Sequence, residues 1–543
     1  MLFLVKLFPE ITVKSRPVRK RLVRLCRKNL KIVLSRIDEN ILVNGHWDCL
    51  EVETGDIDAV QKMLLLEALA STPGVDQFLE VDRFPLPTMA GILEIADRYF
   101  GPSLPGKTFA VRCKRMGRQS FKSVDVEQAV GAGLNLRYDS ARVKLKDPEV
   151  TVALEVREQE LFVVKQTHAG LGGYPLGGQD AVLSLISGGF DSAVSSYMTI
   201  KRGLLTHFCF FNMGGRAHEL AVKEVALYLW MKYHSSHRIK FVTVPFEGVV
   251  EEILVSVEDS QMGVVLKRLM LRAADGVAQR LNVHALVTGE SVAQVASQTL
   301  ANLNVIDEVS ELMVLRPLCM TDKQTIINKA REIGTEEFSK HIPEYCAVIS
   351  DSPTTKAKAQ RLAEQESRFD WSKLDEAIAG ARFQLITEVV EDLERGSGEV
   401  VAVKTPLPHH IIIDIRHPDE VAGHHGRGAG GTVAVGGHKQ RVALRDAHRG
   451  LKGRHADAVV GALCGIRQVA SAQVNRIVAP HVNGIGEVVP GEFRTLKRPD
   501  AGDHRFLFHF GLAKATRKGH ENHERRQQGR TTWVHGATSG FVS

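Results

Sequence analysis

The sequence predicts an α/β protein in which two small α+β units precede a larger domain built on a parallel sheet. Segments with period-two alternation occur before residue 170, a glycine-rich stretch covers 170–178, and short apolar strands alternate with longer helical patterns after it. Near-continuous apolar strands of the latter kind imply a parallel sheet with helices on both faces. A chain of 543 residues has room for about three or four domains.

Composition excludes several classes of protein. The chain is 44% hydrophobic and 24% charged, which excludes a wholly disordered, collagenous or coiled-coil protein. Its seven cysteines include no CxxC pair, which argues against a disulfide framework or a structural zinc site and favours the reducing cytoplasm. No apolar run approaches about 20 residues, so we predict no membrane span.

The first unit, residues 1–62, begins with a predicted strand, MLFLVKLF, because Lys6 and Pro9 interrupt the apolar run too early for a signal peptide. Residues 14–36 contain ten Lys or Arg and no acid. Their apolar residues recur at helical spacing, which predicts an amphipathic helix with a basic outer face. A strand over 41–53 and a helix over 56–70 complete the α+β pattern.

The second unit, residues 63–167, has alternating patterns at 107–115, 149–157 and 160–166, each typical of a strand. Basic residues cluster around the first of these strands. A single basic face is most often only solvated, but two in one N-terminal half favour a phosphate-backbone partner. The candidates for RNA contact are Lys14, Arg16, Arg19, Lys20, Arg112, Lys114, Arg115 and Arg118.

A linker over 168–179 leads to the third domain, residues 180–395. Its predicted strands are AVLSLIS, THFCFFN, IKFVTVPF and HALVTGE. The most informative stretch is LSLISGGFDSAVSSYM, in which a buried strand ends at Ser187, two glycines permit a tight bend, and Asp191 opens a helix. The amides of such a helix N-terminus can hold a phosphate. A plain glycine turn is the alternative.

Strand, SGGxDS and helix in that order resemble the PP-loop of ATP pyrophosphatases, which cleave ATP between the α and β phosphates and adenylate a substrate oxygen. The chain resembles, more specifically, the tRNA 4-thiouridine synthetase (tRNA sulfurtransferase) family over roughly residues 1–420. The stretches that carry this resemblance are KLFPEITVKS, FNMGGRAHE, DSQMGVVLKRLMLRAA, VTGESVAQVASQTLANL, LRPL and PEYCAVISDSPT. The family has a ferredoxin-like domain, a THUMP domain and a PP-loop domain.

The resemblance and the chemistry of the loop together predict an ATP-binding site. Lys267 would neutralise phosphate charge as pyrophosphate departs, although a solvated helix face is the alternative for it and for its neighbour Arg268. Asp191 is expected to be catalytic. The expected ATP contacts are Leu185, Ile186, Ser187, Gly188, Gly189, Ser192, Lys267, Gly289 and Gln298.

Cys346, in PEYC, is the second expected catalytic residue. A lone cysteine is more often an inert core residue, but Lys340 and His341 precede it and would lower a thiol pKa. In the family this position closes a disulfide with a persulfide-bearing cysteine as sulfur is released, and the role is assigned to Cys346 by resemblance.

The resemblance implies a two-step reaction with ATP and Mg²⁺. ATP adenylates the C4 oxygen of a uridine in tRNA, position eight in the family, and a persulfide sulfur then displaces AMP to give 4-thiouridine. A cysteine desulfurase is the implied sulfur donor. A small sulfur-carrier protein for thiamine thiazole synthesis is a further implied partner, mainly through a rhodanese domain.

The sequence resembles only the beginning of that rhodanese domain. Residues 404–420 include HHIIIDIRHPDE, which resembles its opening strand and loop, but the expected CxxGxxS loop is missing and Cys464 matches it poorly. Residues 421–543 hold 11 of the 22 His and 20 of the 47 Gly without sustained periodicity. We interpret this tail as out-of-frame translation; a metal site at His520 and His523, an RNA-binding arm and a disordered appendage are alternatives.

Two other functions remain open from sequence: another PP-loop adenylating enzyme, such as an amidotransferase-type synthetase, and a non-catalytic RNA-binding protein with a vestigial loop. Net charge does not decide between them. The chain carries +7, but residues 421–543 alone contain 19 Lys+Arg against 8 Asp+Glu. Residues 1–420 contain 51 against 55, so any case for an RNA partner depends on the local basic clusters.

Overall fold

The computed structural model describes residues 1–45, 49–340, 342 and 349–396. These residues form two sheets, one of eight strands from the N-terminal half and one of six strands from the third domain. The predicted mixed α/β class is confirmed. The predicted rhodanese-like start at 404–420 and the tail at 421–543 lie outside the described residues.

The eight-stranded sheet has the order β2-β3-β1-β4-β8-β7-β5-β6. Helices pack against it in two groups, one for each predicted N-terminal unit. Its elements are β1 (Leu2–Leu7), α1 (Pro9–Thr12), α2 (Arg16–Leu34), β2 (Leu42–Gly45), β3 (Cys49–Glu53), α3 (Ala59–Ser71), β4 (Val75–Pro85), α4 (Met89–Phe100), β5 (Thr108–Met116), α5 (Ser123–Arg137), β6 (Arg142–Val143), β7 (Val150–Arg157) and β8 (Glu160–Ala169).

Helix α2 confirms the predicted amphipathic helix. Its buried residues Leu22, Cys26, Leu30 and Leu34 repeat every four positions and therefore share one face. The prediction of a single strand over 41–53 is wrong, because the segment forms two antiparallel strands with Leu42 opposite Glu53. Alternating apolar residues on both halves gave the segment the pattern of one continuous strand.

Strand β4 joins the two N-terminal units into one sheet. It pairs antiparallel with β1 on one side and with β8 on the other. The predicted domain boundary at 62/63 falls inside α3, whose Leu65 and Leu69 pack into the first core with Phe3. The second core lies under α4 and α5. The two units are therefore continuous through their backbone hydrogen bonds.

The predicted linker over 168–179 is packed rather than extended. Tyr174 and Leu176 are buried, and the Asn29 side chain in α2 donates a hydrogen bond to the Leu176 carbonyl at 3.0 Å. Arg36, just beyond α2, donates to the Ser235 carbonyl of the third domain at 2.6 Å. These contacts fix the basic helix α2 against the third domain.

The six-stranded sheet has the order β13-β12-β9-β10-β11-β14, parallel except for β14 at one edge. Within the described ranges, none of the helices combines the length and the hydrophobicity that a membrane span requires. The elements are β9 (Ala181–Leu185), α6 (Phe190–Lys201), β10 (Leu205–Asn212), α7 (Gly215–Leu229), β11 (Lys240–Pro245), α8 (Glu247–Ser256), α9 (Asp259–Leu281), β12 (Ala285–Val287), α10 (Leu300–Asp307), β13 (Met313–Leu315), α11 (Lys323–Ile333), α12 (Glu336–Ser339), α13 (Ala359–Glu366), α14 (Trp371–Ala379), β14 (Arg382–Leu385) and α15 (Val389–Gly396).

Candidate active site

The glycine-rich loop lies between β9 and α6, at the carboxyl end of the central strand. Gly188 has a φ of +82°, in the left-handed region that glycine adopts without strain. The Ser192 hydroxyl closes the loop: it accepts from the Ser187 amide and hydroxyl, each at 3.2 Å, and donates to the Gly189 carbonyl at 3.0 Å. The start of α6 is thereby held in the geometry of an anion-binding helix N-terminus.

Gly289, in the loop after β12, presses directly on the first turn of α6. A Cβ added at Gly289 would lie 2.6 Å from the carbonyl carbon of Asp191 and 2.7 Å from the amide nitrogen of Ser192. Both atoms belong to the backbone, so no rotamer change would relieve the contact. Residue 289 must therefore be glycine for the two loops to meet in this way.

The Asp191 carboxylate is held from two sides. Lys323 at the start of α11 places its Nζ 2.8 Å from Oδ1, and the Gln294 amide donates to Oδ2 at 2.7 Å. The Gln294 Oε1 atom is buried and has no hydrogen-bond partner among the described residues. A carboxylate and a lysine therefore lie together at the first turn of α6, directly after the glycine-rich loop.

Lys267 belongs to a second charged cluster, centred on Glu290. Lys267 Nζ lies 2.6 Å from one Glu290 oxygen, while Arg316 Nε at 2.8 Å and the Thr288 hydroxyl at 3.0 Å contact the other. Burial alone would raise the pKa of Glu290, but the two cations outweigh it and hold that pKa at about 2. The solvated-face alternative is therefore wrong for Lys267.

The neighbours of Lys267 on α9 point elsewhere. Arg268 is buried and pairs with Glu366, and the Arg272 guanidinium lies 5.2 Å from the centre of the Trp371 ring. Successive helical positions are about 100° apart, so a run of basic residues divides among different surroundings. Arg268 holds α13 against α9, so the solvated-face alternative is wrong for it too.

The remaining expected ATP contacts have structural partners in the same region. Gln298 is buried, and its side chain accepts from the Ser291 amide at 3.3 Å, which braces the loop after β12. Ile186 is buried and donates its amide hydrogen to the Cys209 carbonyl at 2.9 Å. Leu185 ends β9 and packs partly buried on the domain core.

The two cysteines named from the sequence, Cys346 and Cys464, lie outside the described residues, and the role of Cys346 stays a prediction. Its described neighbours do contact the loop. The Ser339 hydroxyl donates to the Gly188 carbonyl at 2.8 Å, and a Cβ on Gly188 would lie 2.5 Å from Ile342 Cδ1. The residues that precede the stretch with Cys346 therefore pack on the glycine-rich loop.

The first group of expected RNA contacts lies around the start of α2. Lys14, Arg16 and Lys20 are exposed, and the Lys14 ammonium lies 5.8 Å from the centre of the Tyr174 ring in the connecting segment. Arg19 is partly buried and donates to the Thr12 carbonyl at 2.8 Å. The group forms one basic surface beside the junction with the third domain.

The second group of expected RNA contacts lies on β5 and the turn after it. Arg112 and Lys114 alternate with buried Cys113 and share the exposed face of the strand. Arg115 donates to the Gln119 side chain at 2.9 Å, and Arg118 is exposed. Helix α2 packs in the first core and β5 in the second, so the two groups lie on different units of the shared sheet.

Sequence reasoning missed four residues of the site: Lys323, Gln294, Glu290 and Arg316. Lys323 is 132 positions from Asp191, and Gln294 is 103 positions from it. No spacing rule connects residues so far apart. The one local signal is Asp322, which caps α11 by accepting from the Thr325 amide at 2.9 Å and so fixes where Lys323 begins the helix.

Comparisons with known families agree with this architecture. Residues 88–164 match the family model described as THUMP domain, and residues 177–371 match the one described as Thiamine biosynthesis protein (ThiI). Both matches fall almost wholly within the domain limits expected from sequence, 63–167 and 180–395.

Similar full-length proteins are also known. A tRNA sulfurtransferase of Pseudomonas aeruginosa is 53% identical over 419 residues, covering 77% of this chain and 86% of that protein. One from Azotobacter vinelandii is 52% identical over 428 residues, covering 78% and 87%. The crystal structure of a 4-thiouridine synthetase–RNA complex with bound ATP has a TM-score of 0.60 at 24% identity and covers 71% of this chain and 99% of that one. The last likeness shows the fold.

Proposed function

Because this chain belongs to the tRNA sulfurtransferase family, we propose that it uses ATP to thiolate a uridine of tRNA, at position eight, to 4-thiouridine. The observation that carries the proposal is the intact glycine-rich loop, with Asp191 held by Lys323 and Gly289 packed on its backbone. A loop with this geometry can bind the phosphates of ATP, which argues against a vestigial loop.

In the first step the uridine O4 atom attacks the α-phosphorus of ATP and pyrophosphate leaves. The amides at the start of α6 would bind phosphate oxygens, and Lys323 would stabilise the charge that develops on the departing pyrophosphate. Lys267 would act in the same way from the Glu290 cluster. Adenylation turns a poor oxygen leaving group into AMP.

Magnesium fits this site as a companion of the nucleotide. Mg²⁺ prefers oxygen ligands and is usually bound through one or two carboxylates and substrate phosphates. The Asp191 carboxylate is one such oxygen, and Gln294 Oε1, which has no hydrogen-bond partner in the described part of the chain, is another. No group of three His, Cys, Asp or Glu side chains suited to a metal occurs among the described residues, so Mg²⁺ would be held jointly with ATP and would neutralise its phosphate charge.

In the second step a persulfide sulfur attacks C4 and AMP leaves, which joins the donor cysteine to the base through two sulfurs. The Cys346 thiolate then attacks the donor cysteine sulfur. The sulfur–sulfur bond breaks, its electron pair stays on the sulfur bound to C4, and a disulfide forms between Cys346 and the donor. A thiol reductant restores both cysteines.

The sequence position of Cys346 is consistent with this role. It lies four residues after Ile342 and four before Ser350. Ile342 packs on the glycine-rich loop. Since no persulfide cysteine matches in this sequence, we assign the persulfide to a cysteine desulfurase that acts as donor.

The tRNA would be bound by the two basic surfaces of the N-terminal half. Phosphate contacts from exposed Arg and Lys position a folded RNA without reading its sequence. The first surface lies beside the third domain, because Lys14 and Arg202 both lie against the Tyr174 ring, so an RNA bound there would lie close to the adenylation domain. This placement favours an RNA substrate over the small-molecule substrates of amidotransferase-type PP-loop synthetases.

The test is pyrophosphate release from ATP that requires added tRNA, together with 4-thiouridine formation when a cysteine desulfurase and L-cysteine are supplied. Asp191→Ala should abolish both pyrophosphate release and 4-thiouridine formation, because it removes the carboxylate that directly follows the glycine-rich loop. Asp180→Ala is the matched control, since Asp180 is exposed and precedes β9. Undiminished release from Asp191→Ala would overturn the assignment.

A second role, sulfur supply to a carrier protein for thiamine synthesis, is favoured by the description of the family model that covers 177–371. This role would need a persulfide on the protein itself, and Cys464 is the one cysteine after 420. Growth without thiamine of a deletion strain that carries this chain tests it. Equal growth with Cys464→Ala would exclude that cysteine.

A further inference from the structure

Glu290 is a buried carboxylate whose two oxygens are both occupied. One oxygen lies 2.6 Å from Lys267 Nζ on α9. The other accepts from the Nε atom of Arg316, the residue after β13, at 2.8 Å and from the Thr288 hydroxyl at 3.0 Å. Asp307 at the end of α10 accepts from Arg316 in turn, at 2.9 Å. The carboxylate therefore connects Lys267 to a network that does not depend on Lys267.

The backbone around Glu290 is fixed to the nucleotide loop. Gly289, the residue before it, packs on the first turn of α6 with no room for a side chain. Ser291, the residue after it, donates its amide to the Gln298 side chain at 3.3 Å and its hydroxyl to the Thr321 carbonyl at 2.7 Å. With both neighbours held, the position of Glu290 is set relative to the turn that would bind phosphate.

Lys267 needs such a support more than an arginine would. A lysine carries a compact charge on a flexible stem of four carbons, and this side chain is 19% exposed. Its pairing with Glu290 selects among the rotamers that the stem could adopt. If Lys267 turns toward a phosphate, Arg316 and Thr288 still compensate Glu290, so the buried carboxylate is not left without a partner.

An ordinary structural ion pair is the alternative, and α9 carries one for comparison. Glu366 on α13 is also buried and also pairs with two cations of α9, Arg268 and Arg272. Its neighbour Gln365 accepts from the backbone at the start of α9, whereas the neighbour of Glu290 contacts the start of α6. The two carboxylates thus share their chemistry and differ in the element to which they are tied.

We propose that Glu290 is a positioning residue for adenylation, which holds the Lys267 ammonium at a fixed place relative to the first turn of α6. The inference rests on the proposed function and deepens it, because the action of Lys267 on phosphate belongs to that function. Glu290 itself would touch neither ATP nor RNA. Its loss should slow the step in which charge develops on the departing pyrophosphate, while the amides of the glycine-rich loop still bind the nucleotide.

The experiment measures kcat and the KM for ATP in tRNA-dependent pyrophosphate release. Glu290→Gln keeps the shape of the side chain and removes its charge. Its kcat should fall by about 10- to 30-fold, which corresponds to the rotamer freedom that a lysine side chain regains, and its KM should stay within about threefold of the wild type. Glu290→Asp, which keeps the charge, should recover part of kcat. Thr288→Val, which removes one donor only, should lower kcat by a smaller factor and serves as the test if Glu290→Gln does not fold.

Two further proteins separate positioning from a structural role. In a Lys267→Ala background, adding Glu290→Gln should change kcat by less than about twofold, because a residue that acts through Lys267 has no effect without it. Glu366→Gln is the matched control, since it also removes a buried carboxylate paired with two cations of α9. It should lower the unfolding temperature and keep kcat within about twofold of the wild type.

The possible results divide clearly. Losses that multiply in the double variant overturn the positioning role, and so does a Glu290→Gln protein that is as fast as the wild type. An equal loss of kcat in Glu366→Gln overturns it as well, because that loss would come from stability. A wild-type protein that releases no pyrophosphate with tRNA overturns the proposed function itself.

Discussion

Gly289→Ala probes the contact on which the geometry of the ATP site depends. The added methyl group would lie 2.6 Å from the Asp191 carbonyl carbon, against about 3.4 Å for ordinary contact. Either the loop after β12 or the start of α6 must therefore move by about 0.8 Å. Overpacking of this kind costs about 1–3 kcal/mol of stability, and a displacement near 1 Å at reacting groups costs about 100-fold in rate.

The assay is tRNA-dependent pyrophosphate release at saturating ATP, with thermal unfolding measured in parallel. Gly263→Ala is the control, because that glycine lies inside α9 and a Cβ there meets no atom within 4 Å. The control should keep full activity and unfold at the same or a slightly higher temperature. Wild-type activity in Gly289→Ala would refute the argument that the two loops need their present spacing.

Two further predictions concern charge. The folded pKa of Glu290 is about 2 against an ordinary 4.5, so its ionised form contributes stability above the ordinary pKa that is lost as pH falls toward 2. The ionised Glu290 carboxylate contributes roughly 3 kcal/mol to the free energy of unfolding in total. Between about pH 5 and pH 3, the free energy of unfolding measured in urea should therefore fall more steeply for the wild type than for Glu290→Gln. Parallel curves for the two proteins would contradict this. Replacing Arg112 and Lys114 together with alanine should weaken tRNA binding and reduce the slope of log affinity against log salt by about 1 to 2, whereas Lys373→Ala on α14 should change neither.

Local features of this protein were predictable and long-range ones were not. The strand, the glycines and the helix of the nucleotide loop are consecutive, so their chemistry and their order can be read directly from residues 183–198. Helix α2 was equally clear, because its buried face repeats every four positions. The partners of Asp191 could not be found in this way, since the fold alone brings Lys323 and Gln294 to it.

Strand β4 explains why the first sheet continues across the predicted domain boundary at 62/63. Its sequence, VDQFLEVDRFP, has buried and exposed residues without strict alternation, because it pairs on both sides and is covered along much of its length. When this strand is not recognised, the sequence pattern divides into two units near residue 62. With it, α3 belongs to the first core and the sheet continues into the second.

The shared sheet also constrains what the protein can bind. Backbone hydrogen bonds run without a break from β2 to β6, so the basic surface near α2 and the one on β5 belong to units that share one continuous sheet. A ligand that engages both must present its phosphates at that fixed separation. We expect a short flexible oligonucleotide to contact one surface or the other, and a rigid folded RNA of matching size to contact both.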